Sequence, residues 1–304
     1  MRRHRLHGAW MTVGFLIALG VGELGMITFS DRLPEAARFP TPEGEVKFND
    51  LVVEGRDVEV VALGSSSLEA ALDPRQLSSS MSAYNLAMPF TDLATMRVWL
   101  SEVVFERMRP EMVLIGLRQW EGADPVSIED STRRALHDTG RKSGSHLLAS
   151  RGSLASLDRW AARERLLAAN HWTYDGHQTA YYEVDRTAEE WSVLGPAVLT
   201  AAESSSLQSL IAMIRANDAE PVLVIEPLAE SRIGDIEGRN KYLRAVGDLA
   251  RRSGVPLWGL PAMLQDPSLY VDGLHVTREG VAAYTSHIAE RLLFATRSES
   301  SVAR

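Results

Sequence analysis

Cysteine is missing altogether from the 304 residues, which excludes a disulfide framework, thiolate metal ligands and a cysteine nucleophile while leaving the redox compartment open. Basic residues are outnumbered: 32 Lys and Arg against 40 Asp and Glu give a formal charge of −8. A nucleic-acid binder that gains affinity by neutralising phosphates needs the opposite balance, so nucleic acid is excluded as a partner. No GxxxxGK[ST] loop occurs, so nucleotide use has no support. With 45% hydrophobic and 24% charged residues, the chain is neither disordered, nor collagen-like, nor a multi-span membrane protein. Its length allows one large domain with insertions or two modest ones.

Long hydrophobic runs are scarce, but there is one. Arg2, Arg3 and Arg5 precede a 21-residue stretch, Ala9 to Phe29, whose single charge is Glu23. At 1.5 Å per residue such a helix covers about 30 Å, one hydrocarbon thickness. The positive-inside bias keeps the Arg-rich start in the cytoplasm. The expectation is a single-pass inner (cytoplasmic) membrane protein, held through residues 9–29, with its C-terminal domain periplasmic or extracytoplasmic. A cleaved signal peptide is the rival reading, but the run exceeds the usual apolar region and no small-x-small site follows it directly. Beyond residue 30 the chain holds 29 basic and 39 acidic residues, a balance that repels anionic lipid.

Residues 31–56, with Pro34, Pro40 and Pro42, read as a tether. From Asp57 short apolar runs alternate with amphipathic stretches: strands at 58–63, 83–88, 112–117, 221–227 and 255–260, and helices near 67–80, 91–108, from 196, 237–253 and 277–295. Apolar runs of this kind between helices mark strands buried on both faces of a parallel sheet. The predicted class is α/β, a three-layer α/β/α doubly wound parallel sheet. One domain over 57–297 carries an insertion at 119–195 and leaves a tail at 298–304. The insertion's distal part concentrates Trp172, Tyr174, Tyr181, Tyr182 and Trp191. These rings, with Trp120, are candidates to stack on sugar faces; the other reading of the five is a small core of the insertion's own. His171, Asp175 and His177 lack a third strong ligand, so neither a metal nor a cofactor is expected.

In a parallel sheet ligands bind beyond the carboxyl ends of the strands. The first strand exits into Gly64-Ser65-Ser66-Ser67, and the last leads to Asp272-Gly273-Leu274-His275. A serine in a tight turn can act as a nucleophile, although serine is also a common helix N-cap. An aspartate three residues before a histidine can fix its tautomer so that the far nitrogen takes a serine proton. Both motifs face the same sheet edge.

Over about 57–118 and 220–295 the sequence resembles the SGNH (GDSL-type) hydrolase superfamily, most closely its membrane-anchored, polysaccharide-modifying members. Gly64-Ser65-Ser66 stands at the family's Gly-Asp-Ser turn, with Ser65 in place of the aspartate, and Asp272-x-x-His275 matches its terminal block. AYNLAMPFTDL (83–93) and IGLRQW (115–120) fall at the second and third blocks, with Pro89 and Phe90 where a glycine is usual and Arg118 at the asparagine position. The resemblance implies an SGNH/flavodoxin-like fold and a Ser66, His275, Asp272 triad, with the Ser66 and Phe90 N–H groups and the Arg118 guanidinium as oxyanion candidates. It further implies an esterase or O-acyltransferase acting on acyl groups, acetyl above all, of a cell-envelope or secreted polysaccharide or acylated sugar, beside a membrane O-acyltransferase. The altered second and third blocks motivate an alternative, a non-catalytic glycan-binding or assembly protein on the same fold; a lipid-ester hydrolase is a more distant one.

Overall fold

The computed structural model describes residues 44, 47, 48, 50, 51, 57–77, 81–89, 91–120, 129–140, 192–260 and 262–302. Among them no helix is long and apolar enough to cross a membrane; the expected anchor at 9–29 lies outside the described residues.

Five strands, β1 (Val60–Leu63), β2 (Ala83–Asn85), β3 (Met112–Leu117), β4 (Glu220–Ile225) and β5 (Leu257–Trp258), form one sheet in the order β2-β1-β3-β4-β5. Every neighbouring pair is parallel, as a sheet wound through helical crossovers requires. The helices are α1 (Ser66–Ala71), α2 (Leu93–Trp99, prolonged through a π-helical stretch to Arg107), α3 (Glu129–Gly140), α4 (Ala201–Ala216), α5 (Ile236–Ser253) and α6 (Arg278–Val302). Successive strand residues point to opposite faces. Val61, Leu63, Val113, Ile115, Leu223 and Ile225 therefore enter one core, with α2, α4 and α5. Val60, Ala62, Met112, Leu114, Val222 and Val224 enter the other, with α1 and α6. The predicted α/β class and three-layer arrangement match this architecture.

Several boundaries are corrected. The helix expected over 67–80 stops at Ala71, because Pro74 opens a separate 3₁₀ turn, Pro74–Gln76, capped by the Asp73 side chain, and the residue before a proline is pushed out of helical geometry. The helix expected from 196 begins at Ala201, where Thr200 and Glu203 form a capping box. The last helix runs on to Val302, so most of the expected tail at 298–304 is helical. The expected insertion starts later than 119: Gln119 is buried and bonded into the core, and Trp120 bridges to Pro196. Within it α3 lays Leu136 in the first core, and Arg133 pairs with Glu102 of the α2 extension.

The expected tether at 31–56 is corrected most. Phe48 and Leu51 are core residues, and Asp50 accepts the Tyr84 hydroxyl at 3.1 Å. Lys47 Nζ lies 2.8 Å from Glu69 Oε1, both side chains fully buried, and it also donates to the Asn85 and Ala87 carbonyls. The domain therefore reaches back at least to Lys47, and α1 is pinned from below by a residue that precedes the first strand. Removing one member of a buried ion pair strands the other charge, at about 3–5 kcal/mol. Lys47→Ala is expected to lose stability on that scale in urea unfolding, whereas Lys47→Met combined with Glu69→Leu recovers most of it; equal stability of wild type and Lys47→Ala would contradict this packing.

Candidate active site

The strand order reverses around β1, whose neighbours are β2 and β3, and a crevice opens at such a switch point beyond the carboxyl ends. The chain leaving β1 passes through Gly64 into Ser65, the N-cap of α1, whose hydroxyl accepts the Ser67 N–H at 3.3 Å. Ser66 is the first helical residue and is half-buried. Its N–H precedes the hydrogen-bonded ladder of the helix and needs no intrahelical carbonyl.

The far end of α1 is tied down by Asn85 of β2. Its amide donates to the carbonyls of Leu68, Glu69 and Leu72 at 3.1, 3.2 and 2.8 Å, and its Oδ1 accepts the Ala87 N–H at 3.1 Å. Carbonyls that a short helix leaves unsatisfied are thus paired inside the protein. The asparagine lies within the AYNLAM block, but its type and position alone do not reveal this task.

At the other side of the crevice, Val271 to His275 forms a tight turn closed by the Val271 N–H to the His275 carbonyl at 2.8 Å. Gly273 takes φ +80°, a left-handed conformation that glycine adopts without cost. Asp272 Oδ1 accepts the Leu274 and His275 N–H groups at 2.9 and 2.8 Å, and Oδ2 accepts from His275 Nδ1 at 2.8 Å. The Asp272 carbonyl is held by Arg232 at 2.8 Å, and the Gly273 carbonyl by the Ala229 N–H at 2.9 Å. Arg232, in the loop after β4, carried no sequence signal for this role.

His275 Nε2 lies 3.0 Å from Ser66 Oγ. Three residues spread over 209 positions of chain thus form one hydrogen-bonded series. With Nδ1–H committed to Asp272, Nε2 presents its lone pair to the serine hydroxyl. Burial alone would push the Asp272 carboxyl up, but the hydrogen bonds and charge of His275 and the two backbone donors prevail and hold it at about 2. Such an arrangement can accept a serine proton, stabilise the resulting imidazolium and return the proton to a leaving group.

The remaining sequence candidates divide. Arg118 and Trp120 line a cavity of about 90 Å³, together with Thr91, Glu203 and Tyr242. Trp120 is 8% exposed, which corrects its reading as an open stacking platform. Phe90, Trp172, Tyr174, Tyr181, Tyr182 and Trp191 lie outside the described residues, as do His171, Asp175 and His177. Among the described residues no cluster of three His, Cys, Asp or Glu side chains could hold a metal. Glu226 was missed in the sequence: it follows β4, is fully buried, and bonds Ser65.

No protein-family profile matches the chain, and no curated protein matches it. Solved structures do resemble it. A GDSL-like lipase from Bacteroides thetaiotaomicron is 11% identical over 83% of this chain and 99% of its own, with a TM-score of 0.42. A catalytic mutant of an acetylxylan esterase from Geobacillus stearothermophilus is 10% identical over 77% and 93%, with a TM-score of 0.41. A psychrotrophic esterase from Pseudoalteromonas sp. is 10% identical over 79% and 99%, with a TM-score of 0.39. The GDSL family that the sequence blocks resemble is thus represented among these structures. What the site can do rests on its own geometry.

A depressed carboxyl contributes stability above its unfolded value that is lost as pH falls through the folded one. For Asp272, moved from 3.8 to about 2, this amounts to about 2 kcal/mol. Asp272→Asn is expected to be less stable than wild type by about that amount at pH 7, with the two converging as the pH nears 2; parallel curves across that range in pH-dependent urea unfolding would contradict it.

Proposed function

We propose that the protein is a serine ester hydrolase or acyltransferase whose nucleophile is Ser66. The observation that carries this reading is the unbroken series Ser66 Oγ, His275 Nε2, His275 Nδ1, Asp272 Oδ2, at 3.0 and 2.8 Å, placed at the switch point of the sheet. His275 takes the Ser66 proton as Oγ attacks an ester carbonyl carbon. The tetrahedral oxyanion is met by the Ser66 N–H, and the Phe90 N–H is the second donor that the resemblance implies. His275 returns the proton to the departing alcohol and leaves an acyl-enzyme. The acyl group then passes to water or to a sugar hydroxyl, deprotonated in turn by His275, and Asp272 holds the imidazole in one tautomer throughout.

The finer reading follows from the sequence. On this reading the apolar run at 9–29 anchors the chain in the inner membrane and leaves the domain periplasmic or otherwise extracytoplasmic. The aromatic stretch at 172–191 suits carbohydrate, and the resemblance of the blocks points to acetyl groups on a cell-envelope or secreted polysaccharide, with a membrane O-acyltransferase as a working partner. Arg118, whose charge acts on Glu226 beside the nucleophile turn, is the further oxyanion candidate that the resemblance implies.

Two measurements test this. A fluorophosphonate probe is expected to label the purified chain at Ser66, and Ser66→Ala to lower acetyl-ester turnover by about 10³-fold or more, the scale of losing a triad nucleophile; an unlabelled serine or unchanged turnover refutes the enzyme, and glycan binding that persists without turnover supports a binding protein instead. Alkaline carbonate washing of membranes is expected to leave the chain in the pellet, and release into the supernatant refutes the anchor.

A further inference from the structure

The strand alternation that sorts the two cores also places Gly64, Gly116 and Glu226 on one face at the carboxyl ends of β1, β3 and β4. Gly116 follows Leu114, and Glu226 follows Val224, by one side-chain period on the α1/α6 side. Glu226 leans across the gap that the two glycines leave. A Cβ on Gly64 would stand 2.6 Å from its Oε1, and one on Gly116 2.5 Å, both closer than real Cβ atoms come. The carboxyl ends at Ser65. Its Oε1 accepts the Ser65 N–H at 2.8 Å, and its Oε2 is hydrogen-bonded to the Ser65 hydroxyl.

Burial pushes the Glu226 carboxyl up, against the Ser65 hydrogen bonds and the charges of Arg118 and His275, which act the other way. Oε1 accepts the Ser65 N–H and Oε2 accepts the Ser65 hydroxyl, whose oxygen in turn accepts the Ser67 N–H. The backbone is thereby held at the residue before Ser66 and at the residue after it.

We infer that Glu226 is a positioning residue for the nucleophile turn: through Ser65 it fixes the backbone on both sides of Ser66 and so sets the 3.0 Å approach of Ser66 Oγ to His275 Nε2. The side chain at position 65, where the family pattern carries aspartate, is a hydroxyl here, and the carboxyl reaches the turn from β4 instead. Two carboxyl groups in that dry space would repel, so the serine and the buried acid are complementary.

This inference rests on Ser66 being the nucleophile, and the test separates the two. Fluorophosphonate labelling rates and p-nitrophenyl acetate kinetics are measured for wild type, Ser65→Ala, Glu226→Gln and Glu226→Leu, well below each melting temperature. Glutamine keeps an acceptor for the Ser65 N–H and a hydrogen-bonding partner for its hydroxyl, which can turn to accept, so Glu226→Gln is expected to label within about threefold of wild type. Ser65→Ala and Glu226→Leu are expected to lose about tenfold or more in labelling rate and kcat, with KM nearly unchanged. A residue serving the fold alone would lower the melting temperature without this kcat-specific loss or its rescue by glutamine. If Glu226→Leu does not fold, the Ser65→Ala and Glu226→Gln pair decides. Wild-type labelling in Ser65→Ala, or a Glu226→Gln as slow as Ser65→Ala, overturns the inference while Ser66 stands. A wild type that does not label removes the nucleophile and the inference together.

Discussion

Because β1, β3 and β4 are parallel and covered on both faces, each side chain along them is assigned to one of two cores, and the assignment continues past the strand ends. Where the apolar alternation stops, the next residues fall at the sheet's carboxyl edge with their faces already determined. Gly64 and Gly116 lie level with each other there, Gly116 pairs with Val224, and Glu226 follows one side-chain period further along. Leu63 and Leu117 still fill the first core beside them. Ser65 and Ser66 lead into a helix directly on this edge, so the Ser66 hydroxyl inherits its position from the packing of the sheet.

The ionisable groups follow from the same layering. Glu69 and Glu226 lie on the α1 side of the molecule, both without exposure to solvent, and each is met differently. Glu69 faces Lys47, a full countercharge brought from before the first strand. Glu226, whose carboxyl is pushed up by burial, accepts from the N–H and hydroxyl of Ser65, an uncharged partner. Asp272, by contrast, collects three donors in a turn near the surface and keeps its charge. Three carboxyl groups around one helix thus hold three roles: anchoring α1, bracing its first turn, and orienting the imidazole.

Much of this was legible in the chain. The runs at 58–63, 112–117 and 221–227 appear as strands within a few residues, because two-sided burial demands uninterrupted apolar side chains. Asp272 and His275 were visible as a pair because both lie in one turn, where a spacing of three suffices to bring carboxylate and imidazole together. The expected helix over 67–80 overran because its amphipathic pattern continued across Asp73-Pro74, where backbone geometry overrides pattern. Lys47 and Phe48 read as tether since neither forms a periodic stretch; their burial depends on a groove that other segments build. Glu226 read as the end of a strand, and the cavity that Arg118 lines is built by segments far apart in the chain.

The division between the two levels has a physical cause. Local sequence determined the parallel α/β class, the two turns that carry Ser66 and His275, and the apolar run at 9–29, since each depends on residues within a few positions of one another. Tertiary structure decided that Ser66 and His275 meet across 209 positions at 3.0 Å, that Lys47 closes the space beneath α1, and that Glu226 reaches Ser65 through the gap left by two glycines. Those contacts join segments far apart in the chain, and their distances exist only once the sheet has set where each strand ends.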